Sequence, residues 1–253
     1  MHISLGMDKS MIGDIVKAFT STTHDVIREI QVEHGLDTGN FKSGGNWDLR
    51  FKRIKNAALK HGLIVLTKKR GIWNFILVLN INTGIMYVFS KDKNIKTVIK
   101  KLGKNSIHYF HAFVSLNSDP YELDNQQMEL FPMLSEEYEA KRIQEVQKIL
   151  GEEYPLVKQV VFVVALEEDR KIVGVEAKLF NRYFELKDVE NWTSYMSTDD
   201  YSDIFISNEL PLEQQQTVIP KLKQSVKDRK HHFDKTIATR KSEKEQFKEE
   251  DGK

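Results

Sequence analysis

Residues 63–90, LIVLTKKRGIWNFILVLNINTGIMYVFS, decide the fold. Three short apolar runs, at 63–67, 72–80 and 85–90, are separated by Lys68-Lys69-Arg70-Gly71 and by Asn82-Thr83-Gly84. Glycine takes positive φ without a Cβ clash, so Gly71 suits a hairpin turn. In the middle run Trp73, Phe75, Leu77 and Leu79 alternate with Asn74, Ile76, Val78 and Asn80. Both faces carry apolar residues, as in a central strand covered on both sides. The stretch predicts a three-strand meander.

Upstream, residues 48–61 predict a helix, with Phe51, Ile54 and Ala58 on one stripe and Gly62 as its stop. Residues 8–34 predict one long amphipathic helix from the spacing of Ile12, Ile15, Phe19, Val26 and Ile30. A Gly/Ser/Thr/Asn-rich loop at 37–46 follows it. Downstream come a Lys-rich helix at 93–102 and a strand-like run at 109–116. A polar connector spans Pro120 to Pro132. Then come a charged helix at 135–150 and a hairpin of 157–166 with 171–180. Short strands are expected at 184–189 and 203–207. These readings give an α+β protein with a basic domain at 1–118 built as helix, three-strand meander, helix and strand. A connector at 119–134 leads to a second, smaller domain at 135–217 with a β-hairpin and helices. Residues 218–253 form a charged tail, helical or disordered.

The chain has 253 residues and no cysteine. That excludes disulfides and cysteine-ligated metals and suits a reducing cytoplasm, the expected location. Met1-His2-Ile3-Ser4 does not open a signal peptide. No apolar run reaches the roughly 20 residues that span a bilayer, so no membrane partner is expected.

Net charge is only +1, but the signs are segregated. Residues 41–105 hold fifteen basic side chains against two acidic, a net of +13. Residues 106–155 net −7, residues 156–217 net −6, and residues 218–253 net +4. A basic block of this size is an electrostatic footprint for phosphates, and DNA is the first expected partner. The candidate contacts are Arg50, Arg53 and Lys60 on the helix, Lys68, Lys69 and Arg70 at the hairpin, and Lys96 and Lys100 beyond it. The plain alternative is a basic face that docks onto the acidic half of the same chain, or onto an acidic protein.

The helix at 48–61 followed by the Lys68-Lys69-Arg70 hairpin resembles a winged helix-turn-helix, which implies a helix in the major groove and a basic wing on the backbone. The order helix, three strands, helix, strand also resembles the core of the restriction-endonuclease-like nucleases. Their metal-assisted hydrolysis needs a carboxylate and then Asp/Glu-x-Lys on a neighbouring strand. The runs at 63–90 contain no acid. Glu176-Ala177-Lys178 has the spacing, with Asp169 upstream, but alternation with Val173, Val175, Ala177 and Leu179 places Glu176 and Lys178 on a solvent face. No catalytic residue, cofactor or metal is therefore expected. His108, His111, His231 and His232 do not converge as a ligand set. No phosphate loop, nucleophile elbow or dinucleotide fingerprint occurs.

In the connector, Gln127-Met128-Glu129-Leu130-Phe131 resembles the pentapeptide with which bacterial replication, repair and mobile-element proteins bind the sliding clamp. The resemblance implies a polar subsite for Gln127, a weaker aliphatic match at Met128, and an apolar pocket for Leu130 and Phe131. The overall expectation is a non-catalytic, DNA-associated accessory protein of a bacterium or phage, with the clamp as a second partner. A protein-interaction or inhibitor module of antitoxin-like or anti-defence type is one alternative, and a metal-dependent nuclease another.

Overall fold

A computed structural model describes residues 6–104, 106–117, 134–169 and 171–197. The chain is α+β. In order it runs α1 Lys9–Thr20, α2 His24–Glu33, α3 Asn40–Lys60, β1 Ile64–Arg70, β2 Trp73–Asn80, β3 Ile85–Lys91, α4 Asp92–Ile99, α5 Tyr109–Val114, α6 Glu136–Leu150, β4 Gln159–Glu168, β5 Lys171–Phe180 and β6 Leu186–Asn191. Short 3-10 turns occupy Gly151–Leu156 and Thr193–Tyr195.

The six strands form one sheet in the order β1-β2-β3-β4-β5-β6. All neighbours are antiparallel except β3 and β4, which pair in parallel from Ile85 opposite Gln159 to Lys91 opposite Ala165. The meander is as expected: Lys69 lies opposite Asn74, and Leu77 opposite Val88. Alternation sorts the strand side chains into two cores. Ile76, Val78, Tyr87, Phe89, Val161 and Val163 face α1 and α3. Phe75, Leu77, Leu79, Met86, Val88 and Phe162 face α4, α5 and α6. With helices on both faces, the central strands have no polar side, which explains the unbroken apolar run at 160–165.

The expected division into two domains is corrected. The sheet joins residues 64–91 to 159–191, and all described residues fall in one compact unit. The parallel β3–β4 ladder buries both strands, so the halves share cores instead of owning one each. The tail and the connector motif lie outside the described residues, as does the expected strand at 203–207.

Three local expectations also change. Within the expected strand at 109–116, residues 109–114 form helix α5 and not a strand. A short apolar run suits either state, and here His108 caps the helix. Its Nδ1 accepts the Phe110 N–H at 3.1 Å, and the His108 N–H donates to Nδ1 of His111 at 3.2 Å. The strand that completes the helix, meander, helix, strand order is β4 instead. The long first helix is two: α1 ends at Thr20 and α2 begins at His24. Arg53 Nη1 takes up the freed carbonyls of Ser21 and Thr22 at 3.0 and 2.9 Å. The loop at 37–46 is largely helical, because α3 starts at Asn40. Gly45 lies inside this helix, where a Cβ would meet the end of the Ile27 side chain at 2.7 Å and the Phe41 ring at 3.0 Å, so a larger residue would have to push those side chains aside.

Asn117 ties the second core together. Its side chain is buried, donates to the carbonyls of Val160 and Phe180 at 2.9 and 2.7 Å, and accepts the Val160 N–H at 2.6 Å. It thereby locks the chain leaving α5 against the start of β4.

Candidate nucleic-acid interface

The expected phosphate contacts divide into cations held by the protein and cations left to solvent. The β1–β2 hairpin belongs mostly to the first kind. β1 runs through Lys68 to Arg70, so the expected turn moves to Gly71 and Ile72. Lys68 and Arg70 lie two residues apart, hence on one face of the strand, and that face meets α6. Lys68 Nζ donates to the Leu150 carbonyl at 3.0 Å and pairs with Glu153 at 2.9 Å. Arg70 Nε pairs with Glu145 at 3.3 Å, and its Nη2 donates to the Ile107 carbonyl. The Arg70 guanidinium also stands 5.9 Å from the centre of the Tyr109 ring. These are the acidic residues of the second half neutralising the first. A free basic wing is not what the sequence built here.

Arg53 is spent on the end of α1, as above. Lys60 pairs with Asp14 at 2.7 Å, and His61 Nε2 reaches the same oxygen at 2.8 Å. Hydrogen bonds from Lys60 and then His61 hold the Asp14 carboxyl below its usual range. Arg50 is partly buried, with Nε out of solvent and lacking a hydrogen bond. Desolvation lowers its pKa, and Glu167 opposes that shift. Lys96 pairs with Asp92 at 2.6 Å. Lys69 and Lys100 are exposed and make no ion pair among the described residues.

Exposed basic side chains without an ion pair among the described residues lie on α3 (Lys42, Lys52 and Lys55), at Lys69, and most densely on α4 and the turn after it. Lys93, Lys96, Lys100, Lys101 and Lys104 are all exposed. Lys93, Lys96 and Lys100 follow helical spacing, which puts them on one stripe. Lys93, Lys100, Lys101 and Lys104 make no ion pair among the described residues, and residues 93–104 contain no acid. Lys93, Lys101 and Lys104 were visible in the charge count but carried no individual signal, because exposure and pairing depend on the packing of α6 and β5.

Below the first turn of α4 sits a polar cluster that the sequence does not announce. Lys178 Nζ lies 2.9 Å from Glu176 Oε2 and 3.2 Å from Asp92 Oδ1. The side chains of Glu176 and Lys178 are only 26% and 15% exposed, so the expected solvent face is a half-buried one beneath α4. Burial opposes ionisation of Asp92, but hydrogen bonds from Lys96 and Lys178 outweigh it and its pKa falls. Burial likewise disfavours charge on Lys178, and Glu176 and Asp92 more than reverse it. Asp169 stands elsewhere, in the β4–β5 turn at φ 46°. No group of three or more His, Asp or Glu is arranged to hold a metal among the described residues.

The histidines of α5 are structural. His111 is buried, donates from Nε2 to the Val98 carbonyl at 2.8 Å, and accepts at Nδ1 from Tyr138 Oη at 3.0 Å. Desolvation lowers the pKa of both histidines, that of His108 to about 4. No helix among the described residues is long and apolar enough to cross a membrane.

Residues 4–241 match a family described as a family of unknown function (DUF5986). The chain belongs to that family. No curated protein and no solved structure matches it.

Proposed function

We propose that this DUF5986 protein binds nucleic acid without cleaving it, using the lysines of α4 and its following turn. The observation that carries the reading is the acid-free band of Lys93, Lys96, Lys100, Lys101 and Lys104, four of which have no ion pair among the described residues. Such lysines release condensed counterions from a polyphosphate, which gives affinity that falls with salt. Lys69 adds one exposed cation; Lys68, Arg70, Arg53 and Lys60 contribute structure instead. In this reading Lys178 is the counter-ion paired with Asp92 and Glu176 beneath α4.

The test is binding of a labelled duplex by the purified full chain. Affinity should drop steeply as salt rises and should be weakened by Lys100→Gln/Lys101→Gln/Lys104→Gln. Salt-independent binding, or a stoichiometric acidic protein co-purifying in place of nucleic acid, would transfer the band to a protein partner. The pentapeptide Gln127, Met128, Glu129, Leu130 and Phe131 supplies a second contact in the same reading, the sliding clamp. Leu130→Ala/Phe131→Ala should abolish retention on immobilised clamp while leaving nucleic-acid affinity intact.

A second reading is favoured by one contact, that of Asp92 with Glu176-Ala177-Lys178. Magnesium is commonly held by one or two carboxylates plus substrate phosphates. Asp92 and Glu176 would supply those carboxylates, with Lys178 placed to stabilise developing charge. Magnesium-dependent cleavage lost on Glu176→Gln would establish it; no cleavage with magnesium or manganese would reject it.

A further inference from the structure

The β1–β2 turn carries its apolar residues outside the fold. Ile72 is 98% exposed and Trp73 is 40% exposed, at a point where the chain turns through Gly71 at φ 61°. The other tryptophans are internal: Trp47 packs against Phe19 and Phe51, and Trp192 is fully buried. Lys69 and Asn74, paired across the hairpin, are exposed on the face opposite Arg70. Residues 68–74 contain three cations and no acid.

The stem beneath this tip is anchored. Lys68 and Arg70 fasten β1 to Leu150, Glu153, Glu145 and Ile107, as described above. A tip held in this way is presented in one geometry, so little ordering entropy is lost when it binds. It also lies at a useful end of the sheet. Trp73 is four residues before Leu77 and Asp92 four residues after Val88, its antiparallel partner. The tip therefore stands at the end of the sheet where α4 and its lysines begin.

Size separates the two classes of partner. A protein interface needs a contiguous surface of about 800 Å² per partner. A two-residue apolar point, with polar Lys69 and Asn74 on the other face of the hairpin, does not offer that. An exposed indole at the end of the sheet where the α4 lysines begin does fit one unpaired base and nearby phosphates, because every base has a π-face for stacking. A duplex hides those faces.

We infer that the Ile72–Trp73 tip is a base-stacking element for single-stranded nucleic acid, with the lysines of α4 on the neighbouring phosphates. The inference rests on the nucleic-acid reading above and narrows its ligand class. The test uses the full chain and one labelled oligonucleotide sequence, presented as a single strand and as a duplex. The single strand should bind more tightly and quench tryptophan fluorescence. Trp73→Ala should weaken single-strand binding about 5- to 150-fold, the equivalent of one stacked base, and abolish the quenching. Duplex affinity should stay within about two-fold. Trp73→Phe should retain most single-strand affinity. Ile72→Asp, at a site too exposed to disturb folding, should weaken it as well. Trp73→Ala and Ile72→Asp that both bind the single strand like wild type, or that weaken both forms equally, would overturn the inference while leaving the lysine band in place. Wild-type protein that binds neither form would overturn the nucleic-acid reading and this inference with it.

Discussion

Two groups of cations share the basic stretch of the chain and meet opposite ends. Lys68 and Arg70 close onto Glu153, Glu145 and two backbone carbonyls. Lys93, Lys100, Lys101 and Lys104 stand in solvent without an ion pair among the described residues. In sequence the groups look alike, each a lysine-rich run beside an apolar one. The difference is which side chains meet each group: Glu145 of α6 and Glu153 in the turn after it close onto the hairpin stem, and no acid among the described residues pairs with Lys93, Lys100, Lys101 or Lys104. Segment charge therefore overstates surface field. The field that reaches a ligand is what remains once internal pairs are subtracted.

The contrast can be broken from either side. The largest effect is expected on the open side. Lys93→Gln/Lys100→Gln/Lys101→Gln/Lys104→Gln should lower duplex affinity about 10²- to 10³-fold at moderate salt. The same variant should unfold in urea within about 0.5 kcal/mol of wild type, since exposed unpaired lysines support little structure. On the anchored side the outcome inverts. Arg70→Ala strands the Ile107 carbonyl and the Glu145 carboxylate, both partly screened by solvent. It should cost about 1–3 kcal/mol in urea unfolding, with duplex affinity of the folded protein changed less than about three-fold. Arg70→Lys should recover only part of that stability, because an ammonium cannot span both acceptors as the guanidinium does.

Much of this contrast was out of reach of the sequence, for identifiable reasons. Alternation at Trp73–Asn80 made a doubly covered strand legible, and the turn at Asn82-Thr83-Gly84 made its partner legible. The run at 109–116 was ambiguous because eight mostly apolar residues have no clear period, and the His108–His111 cap that decides for helix is side-chain geometry. Gly44 and Gly45 suggested a loop, yet both lie inside α3, where Gly45 sits against the Ile27 and Phe41 side chains, a contact between α2 and α3 that composition does not show. The parallel β3–β4 pairing joins segments about seventy residues apart, and no local pattern encodes it. The single unit and the shared cores follow from that pairing. The same distance hid the site's main feature. Asp92 meets Glu176 and Lys178 only once α4 lies across β5, so a weak Glu-x-Lys match acquired its second carboxylate from the far side of the chain.

The anchored region also predicts an acid response. His108 and His111 each use Nδ1 as an acceptor, so both are neutral in the fold. Desolvation lowers their folded pKa below the ordinary value of 6.5, to about 4 for His108. The unfolded chain then binds more protons than the folded one once pH falls below about 6.5. Stability should be full above that pH and decline as pH drops towards 4. Between pH 7 and pH 5 the loss should be about 1–2 kcal/mol in urea unfolding. His108→Asn keeps an N-cap acceptor and should flatten part of the decline. The smallest effect is expected at Lys60. Lys60→Gln removes an exposed partner of Asp14 while His61 remains, and should shift stability by less than about 0.5 kcal/mol.

The most direct test of the central claim is the salt dependence of nucleic-acid affinity, measured by anisotropy at several salt concentrations. Wild type, the four-lysine Gln variant and Lys68→Ala/Arg70→Ala should be compared with one duplex. The wild-type logarithm of affinity should fall linearly with the logarithm of salt. The slope should become shallower by about three to four in the four-lysine variant and stay unchanged in Lys68→Ala/Arg70→Ala. A slope that survives loss of the four lysines, or that collapses on loss of Lys68 and Arg70, would contradict the account.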